Sequence, residues 1–209
     1  MPEALPVAAI RWGSVPPLLL ISLAVMGSPG PATISLVAAG SVRGVRRSFP
    51  YLFGIIVGTT LVLVAVATGI TAALLAVPAI GSVLIWISAG YILWLAYHIA
   101  TAPPLSKPTG ASNAFSVIGG ALLGVANPKA WVAIAAVFAS ARLADGATTD
   151  AAAKVVVLTL TIIVICATWL IAGAAIAPLL RDPARARLVN VALAVGLVGA
   201  TALAVFHSA

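Results

Sequence analysis

Acidic side chains are nearly missing from this sequence. Four occur in 209 residues, Glu3, Asp145, Asp150 and Asp182, each in the N-terminal stretch or beside a break between apolar runs. No carboxylate therefore stands inside an apolar run to hold sodium or a divalent metal, relay protons, or pair with a cationic side chain. Cysteine occurs once, at Cys166, which excludes an intramolecular disulfide and a thiolate cluster. Its reading is that of a small buried apolar side chain. The two histidines, His98 and His207, stand at the ends of apolar runs with no acid near them. A hydrolytic triad has no support, and neither an enzymatic activity nor a metal or cofactor is expected. Charge of either sign is scarce: 7% of residues are charged, 63% are hydrophobic, and the mean hydropathy is +1.21. So few charges cannot cover a water-soluble exterior.

What is present is a series of apolar runs of about 20 residues or more, the length that crosses a bilayer. Six are expected, at roughly 15–40, 50–75, 80–100, 114–141, 152–177 and 188–207. The weakest boundary is Val77-Pro78-Ala79-Ile80-Gly81, a turn without charge, and a five-span reading makes one run interfacial or re-entrant. The fold class is thus an all-α integral membrane protein with one transmembrane domain over residues 1–209. Met1 to Arg11 carries Glu3, two prolines and one basic residue, and does not read as a signal peptide. Arg43, Arg46, Arg47, Lys107, Arg181, Arg185 and Arg187 fall on one side of the six spans, against Arg11, Arg142 and Lys154 on the other. The positive-inside bias puts the larger group in the cytoplasm and both termini outside. The net charge of +7 is a topology signal, and no soluble basic face suggests nucleic acid. Membrane lipid is the expected surroundings.

Three spans precede the Lys107 loop and three follow it, so the halves lie upside down relative to one another. Pro29 and Pro128 are 99 residues apart, and Pro78 and Pro178 are 100 apart. The expectation is an inverted 3+3 repeat, residues 12–101 and 112–207, with spans one and four broken at mid-depth. The breaks are Ser28-Pro29-Gly30-Pro31 and Asn127-Pro128-Lys129. Proline removes a backbone donor and clashes with the preceding turn. Pro31 and Pro128 suit the first position of a helix, so each break would begin a half-helix whose free N–H groups favour an anion such as a carboxylate. The bland alternative is two proline kinks kept for packing.

Lys129 is the one charge deep in any expected span, and a central lysine costs about 2.5–3.5 kcal/mol on insertion scales. It either anchors a substrate carboxylate or caps carbonyls freed by the breaks. Asn127 adds a donor and an acceptor at the same depth. Trp12, Tyr51, Trp94 and Tyr97 suit the interfacial belt, whereas Trp131 and Trp169 lie deep and read as bundle packing. Gly54 with Gly58, and Gly120 with Gly124, make small-residue faces for packing within the bundle or for a homodimer.

Four short patterns occur in order between residues 28 and 131: Ser28-Pro29-Gly30-Pro31; Gly44-x-Arg46-Arg47 with Gly54-x-x-x-Gly58; Gly90-Tyr91-Ile92-Leu93; and Asn127-Pro128-Lys129-Ala130. Together they resemble the LysE/RhtB superfamily of amino-acid exporters, whose length is also similar. The resemblance implies a secondary exporter in the bacterial plasma membrane that moves amino acids or similar small molecules outward, with protons as coupling ion. It implies a substrate site at Pro29, Gly30, Pro31, Thr33, Asn127, Pro128 and Lys129. The chain departs from the pattern at Ala32 and Thr33, where many members have Asn or Asp, and at Ser48, where Gly is common. With no acid for a cationic side chain, a neutral cargo is expected. The competing readings are a cation or metal exporter of related fold and a non-transporting scaffold, which would not need breaks at mid-depth.

Overall fold

The computed structural model describes residues 10–69, 90, 93–94, 96–97, 100–101, 115–177 and 182–206. Most of the expected third span, the 77–81 turn, Tyr91, Ile92, Lys107, Pro178 and both histidines lie outside the described residues. Among the described residues there are six α-helices and no strand: α1 (Val15–Met26), α2 (Pro31–Ala67), α3 (Val117–Ala126), α4 (Pro128–Ala139), α5 (Ala147–Ala175) and α6 (Pro183–Phe206). A 3-10 turn, Trp12–Ser14, leads into α1.

Both expected breaks interrupt a helix. Four residues separate the end of α1 at Met26 from Pro31, which opens α2, and α3 and α4 are bent by 60° at Asn127. α2 is itself two arms, 31–43 and 45–67, joined at Gly44 with φ 73° and ψ 169°, a conformation that strongly favours glycine. At 1.5 Å per residue, α1 and the first arm of α2 are about 18 and 20 Å long, and α3 and α4 about 15 and 18 Å. Either pair matches the roughly 30 Å of hydrocarbon that one span must cross. By length and composition α2 and α5 can each cross a membrane, and the bent α3–α4 pair makes a third candidate. The outer surface carries Leu20, Ile118, Val132, Leu160 and Leu188, all more than half exposed, as a lipid-facing surface requires.

Helix limits differ from the span limits expected. The arm over the expected second span begins at residue 45, directly after the Gly44 kink, and ends at Ala67, where the Thr68 hydroxyl donates to the Val64 and Ala65 carbonyls and Gly69 turns left-handed. α5 starts at Ala147 and α6 at Pro183, each five residues earlier than hydropathy suggests.

The glycine faces, which the sequence left between bundle and dimer, meet each other. A β-carbon at Gly120 would stand 2.9 Å from the Ile55 nitrogen, and one at Gly124 2.7 Å from the Thr59 nitrogen. The second arm of α2 and α3 therefore touch backbone to backbone. The first arm makes a similar seam with α5, where a β-carbon at Gly40 would lie 2.9 Å from the Ala174 nitrogen. At the Gly44 bend, the Ser48 hydroxyl donates to the Ala39 carbonyl at 2.9 Å and ties the two arms together. The Arg43 guanidinium donates to the Phe115 carbonyl at 3.0 Å, and the Phe115 ring packs edge-on against Tyr51.

At the other end of the bundle, Lys154 is only 4% exposed. Its ammonium pairs with Asp150 at 2.8 Å and lies 4.7 Å from the centre of the Phe138 ring. Asp150 also accepts from the Leu143 and Ala144 N–H groups, and the Arg11 N–H donates to the Leu143 carbonyl. The sequence placed these charges beside a loop; the helix begins early enough to bury one of them. Lys154→Met, which strands the Asp150 carboxylate, should destabilise the protein by about 3–5 kcal/mol. Adding Asp150→Asn, which keeps an acceptor for the two N–H groups, should recover most of that loss in detergent melting curves.

Candidate functional site

Hydrocarbon offers no partners, so every carbonyl freed at a break must find one within the protein. At the first break six carbonyls, those of Leu23, Val25, Gly27, Ser28, Pro29 and Gly30, have partners. The Leu23 carbonyl accepts from the Gly27 N–H at 3.1 Å, and the Val25 carbonyl from the Ser28 hydroxyl at 2.8 Å. The Gly27 carbonyl accepts from the Trp169 indole at 3.1 Å. Those of Ser28 and Pro29 accept from the Lys129 ammonium, in the second case at 3.2 Å, and Lys129 also donates to the Ser28 hydroxyl at 2.7 Å. The Gly30 carbonyl accepts from the Ile34 N–H and the Thr33 hydroxyl. Thr33, third residue of α2, accepts in turn from the Gly30 N–H at 2.8 Å, the return arm of a capping box.

The second break has fewer such bonds. The Trp131 indole donates to the Val125 carbonyl at 2.7 Å, and the Ala130 N–H to the Asn127 carbonyl at 3.0 Å. Both deep tryptophans thus serve the breaks as well as the packing. The signal available beforehand was that a buried indole N–H needs an acceptor. Which acceptor it takes is a tertiary matter.

Pro31 and Pro128 each occupy the first helical position, as expected. Pro29, Gly30, Pro31 and Thr33 from one break, and Asn127, Pro128 and Lys129 from the other, are brought to a single junction by the Lys129 bridge. Gly30 is extended, with φ −168°, so its backbone does not require glycine. Space does, because a β-carbon there would stand 2.6 Å from Cδ of Lys129. Gly30→Ala should push the lysine off its carbonyls, leaving the fold in place. A charged hydrogen bond is worth about 1.5–3 kcal/mol, so transport should fall about tenfold to a hundredfold at constant folded protein.

A cavity of about 50 Å³ lies at this junction. Its polar part is formed by Thr33, Thr59, Asn127 and Lys129, and its apolar part by side chains of α1, α4 and α5. Asn127 is 5% exposed, and its Oδ1 is a buried acceptor without a hydrogen-bond partner. Such an atom is costly unless something fills the role. The site therefore offers a cation (Lys129), an open acceptor (Asn127) and the first turns of two helices, the complement of a small zwitterion. Thr59 and the α5 wall carried no signal in the sequence, since their place here depends on the glycine seams.

The LysE type translocator family matches residues 23–206. The chain belongs to this family. Its members are transporters, and the apolar helices accord with a multi-pass bacterial membrane protein. Among curated proteins it is similar to the cysteine/O-acetylserine efflux protein of Salmonella choleraesuis (strain SC-B67), 42% identical over 89 residues, covering 40% of this chain and 45% of that protein. It is also similar to the protein of the same name from Escherichia coli (strain K12), 38% identical over 77 residues, covering 36% and 39%. The chain spans less than half the length of the curated relatives it matches. No solved structure matches it.

Proposed function

We propose that this LysE type translocator exports neutral amino acids or closely related small metabolites across the bacterial inner membrane. The observation that carries the reading is the meeting of two broken helices at one cavity, with Lys129 of one break bonded to the carbonyls of the other. In this reading the substrate carboxylate replaces those carbonyls as partner of Lys129 and faces the N-terminal turn that Pro31 and Thr33 open. The substrate ammonium donates to Oδ1 of Asn127. The relatives named cysteine/O-acetylserine efflux proteins support a small, uncharged cargo of this kind.

The chain works as six spans in an inverted 3+3 repeat, with both termini outside and protons as coupling ion. In support, each break has proline at the first position of its second half-helix and an indole on a carbonyl freed by its first. Alternating access comes from two seams moving against each other about Gly44: the first arm of α2 with α5, and the second arm with α3. The test is export of isotopically labelled alanine, serine, cysteine and O-acetylserine from loaded cells of an exporter-deficient host. Efflux no faster than with an empty vector for all four, and for leucine and threonine besides, would sink the reading.

A further inference from the structure

Helix α5 carries no family motif, and its one cysteine reads from sequence as inert packing. In the structure it forms a wall of the central cavity. Ile162, Ile165 and Cys166, at the i, i+3 and i+4 positions of one helical face, line the cavity together with Ala133 and Ile134 of α4 and Met26 of α1. None of these six can carry a charge at neutral pH, and none is a strong hydrogen-bonding group. The polar groups lie apart from α5: Thr33 and Thr59 on α2, Asn127 at the break and Lys129 in the first turn of α4. The cavity therefore has one part suited to the charged groups of an amino acid and another suited to its side chain.

We infer that the Ile162–Ile165–Cys166 face of α5 selects the cargo by the size of its side chain, admitting small uncharged ones and rejecting long, basic and aromatic ones. This rests on the exporter reading and adds to it the residues that choose among amino acids. The size limit follows from volume. About 50 Å³, at roughly 10–15 Å³ per water, holds about three to five waters, the scale of alanine, serine or cysteine. The wall cannot retreat freely, because α5 is held to the first arm of α2 at Gly40 and Gly173, where backbone meets backbone.

The only cysteine of the chain makes the inference testable on the unmodified protein. Cys166 is 5% exposed and lines the cavity, so a small thiol reagent such as methyl methanethiosulfonate reports access to it. L-alanine or L-serine at ten times its dissociation constant should slow labelling about tenfold, by simple occupancy. L-lysine and L-tryptophan at the same concentration should leave it unchanged. Separately, Ile162→Ala enlarges the wall, and because one methylene is worth about 10- to 200-fold in a hydrophobic pocket, the export ratio of leucine to alanine should rise at least tenfold. Alanine export without protection of Cys166, or an unchanged ratio in folded Ile162→Ala, overturns the inference and leaves the exporter reading standing. No movement of any amino acid by the unmodified protein overturns both.

Discussion

Lys129→Met is expected to cut export at least about 30-fold at equal folded protein, the scale of losing one partner of a buried charged pair, about 2–5 kcal/mol. Lys129 reaches across the junction and gives its ammonium to two carbonyls and a hydroxyl of the other break. Methionine has similar length and no donor. It leaves the Ser28 and Pro29 carbonyls unpaired, at about 1–3 kcal/mol for each buried group, so a lower melting temperature is also expected. The loss of stability alone does not separate capping from substrate binding. Discrimination between alanine and alaninamide does. If Lys129 takes over the substrate carboxylate, the unmodified protein prefers alanine, and Lys129→Met abolishes the preference. A variant that still prefers alanine by the same factor would confine the lysine to capping.

Gly124→Val is expected to destabilise the protein by about 3 kcal/mol or more. Overpacking usually costs about 1–3 kcal/mol because neighbouring side chains can shift. Here the first obstacle is backbone: a β-carbon at position 124 would lie 2.7 Å from the Thr59 nitrogen and 2.9 Å from the Gly58 carbonyl carbon. Neither can rotate away. α3 and the second arm of α2 must separate, and packing is lost along the whole seam from Gly54 to Gly124. Thr59, which lines the cavity, would move with them, so transport should fall together with stability. Gly199→Val is the control, since a β-carbon there meets nothing within 4 Å. Melting curves in detergent, read beside yield from the membrane, decide the matter; equal midpoints for the two variants would refute the close seam.

The neutral-cargo expectation came from missing carboxylates, and the structure refines its basis. Asp150 does lie within a helix, but it is committed to Lys154 and to the turn at Leu143 and Ala144. It is not among the residues lining the cavity. Ser48, a departure from the family pattern, likewise has a structural use, holding the two arms of α2 together across Gly44.

The sequence by itself determined the solvent, the helical class, the family and the place of both breaks. These are local or compositional matters: a run of apolar residues needs lipid whatever it packs against, and proline interrupts or begins a helix through its own ring and missing N–H. The tertiary structure decided who answers the freed carbonyls. Lys129 serves Ser28 from 101 residues away, and Trp169 serves Gly27 from 142, and no local rule selects a partner at such separations. Tertiary packing also settled that the glycine faces meet each other, that Lys154 is buried, and that α5 walls the cavity. Side-chain type limits what a residue can do, but only the packed backbone brings a donor within hydrogen-bond reach of its acceptor.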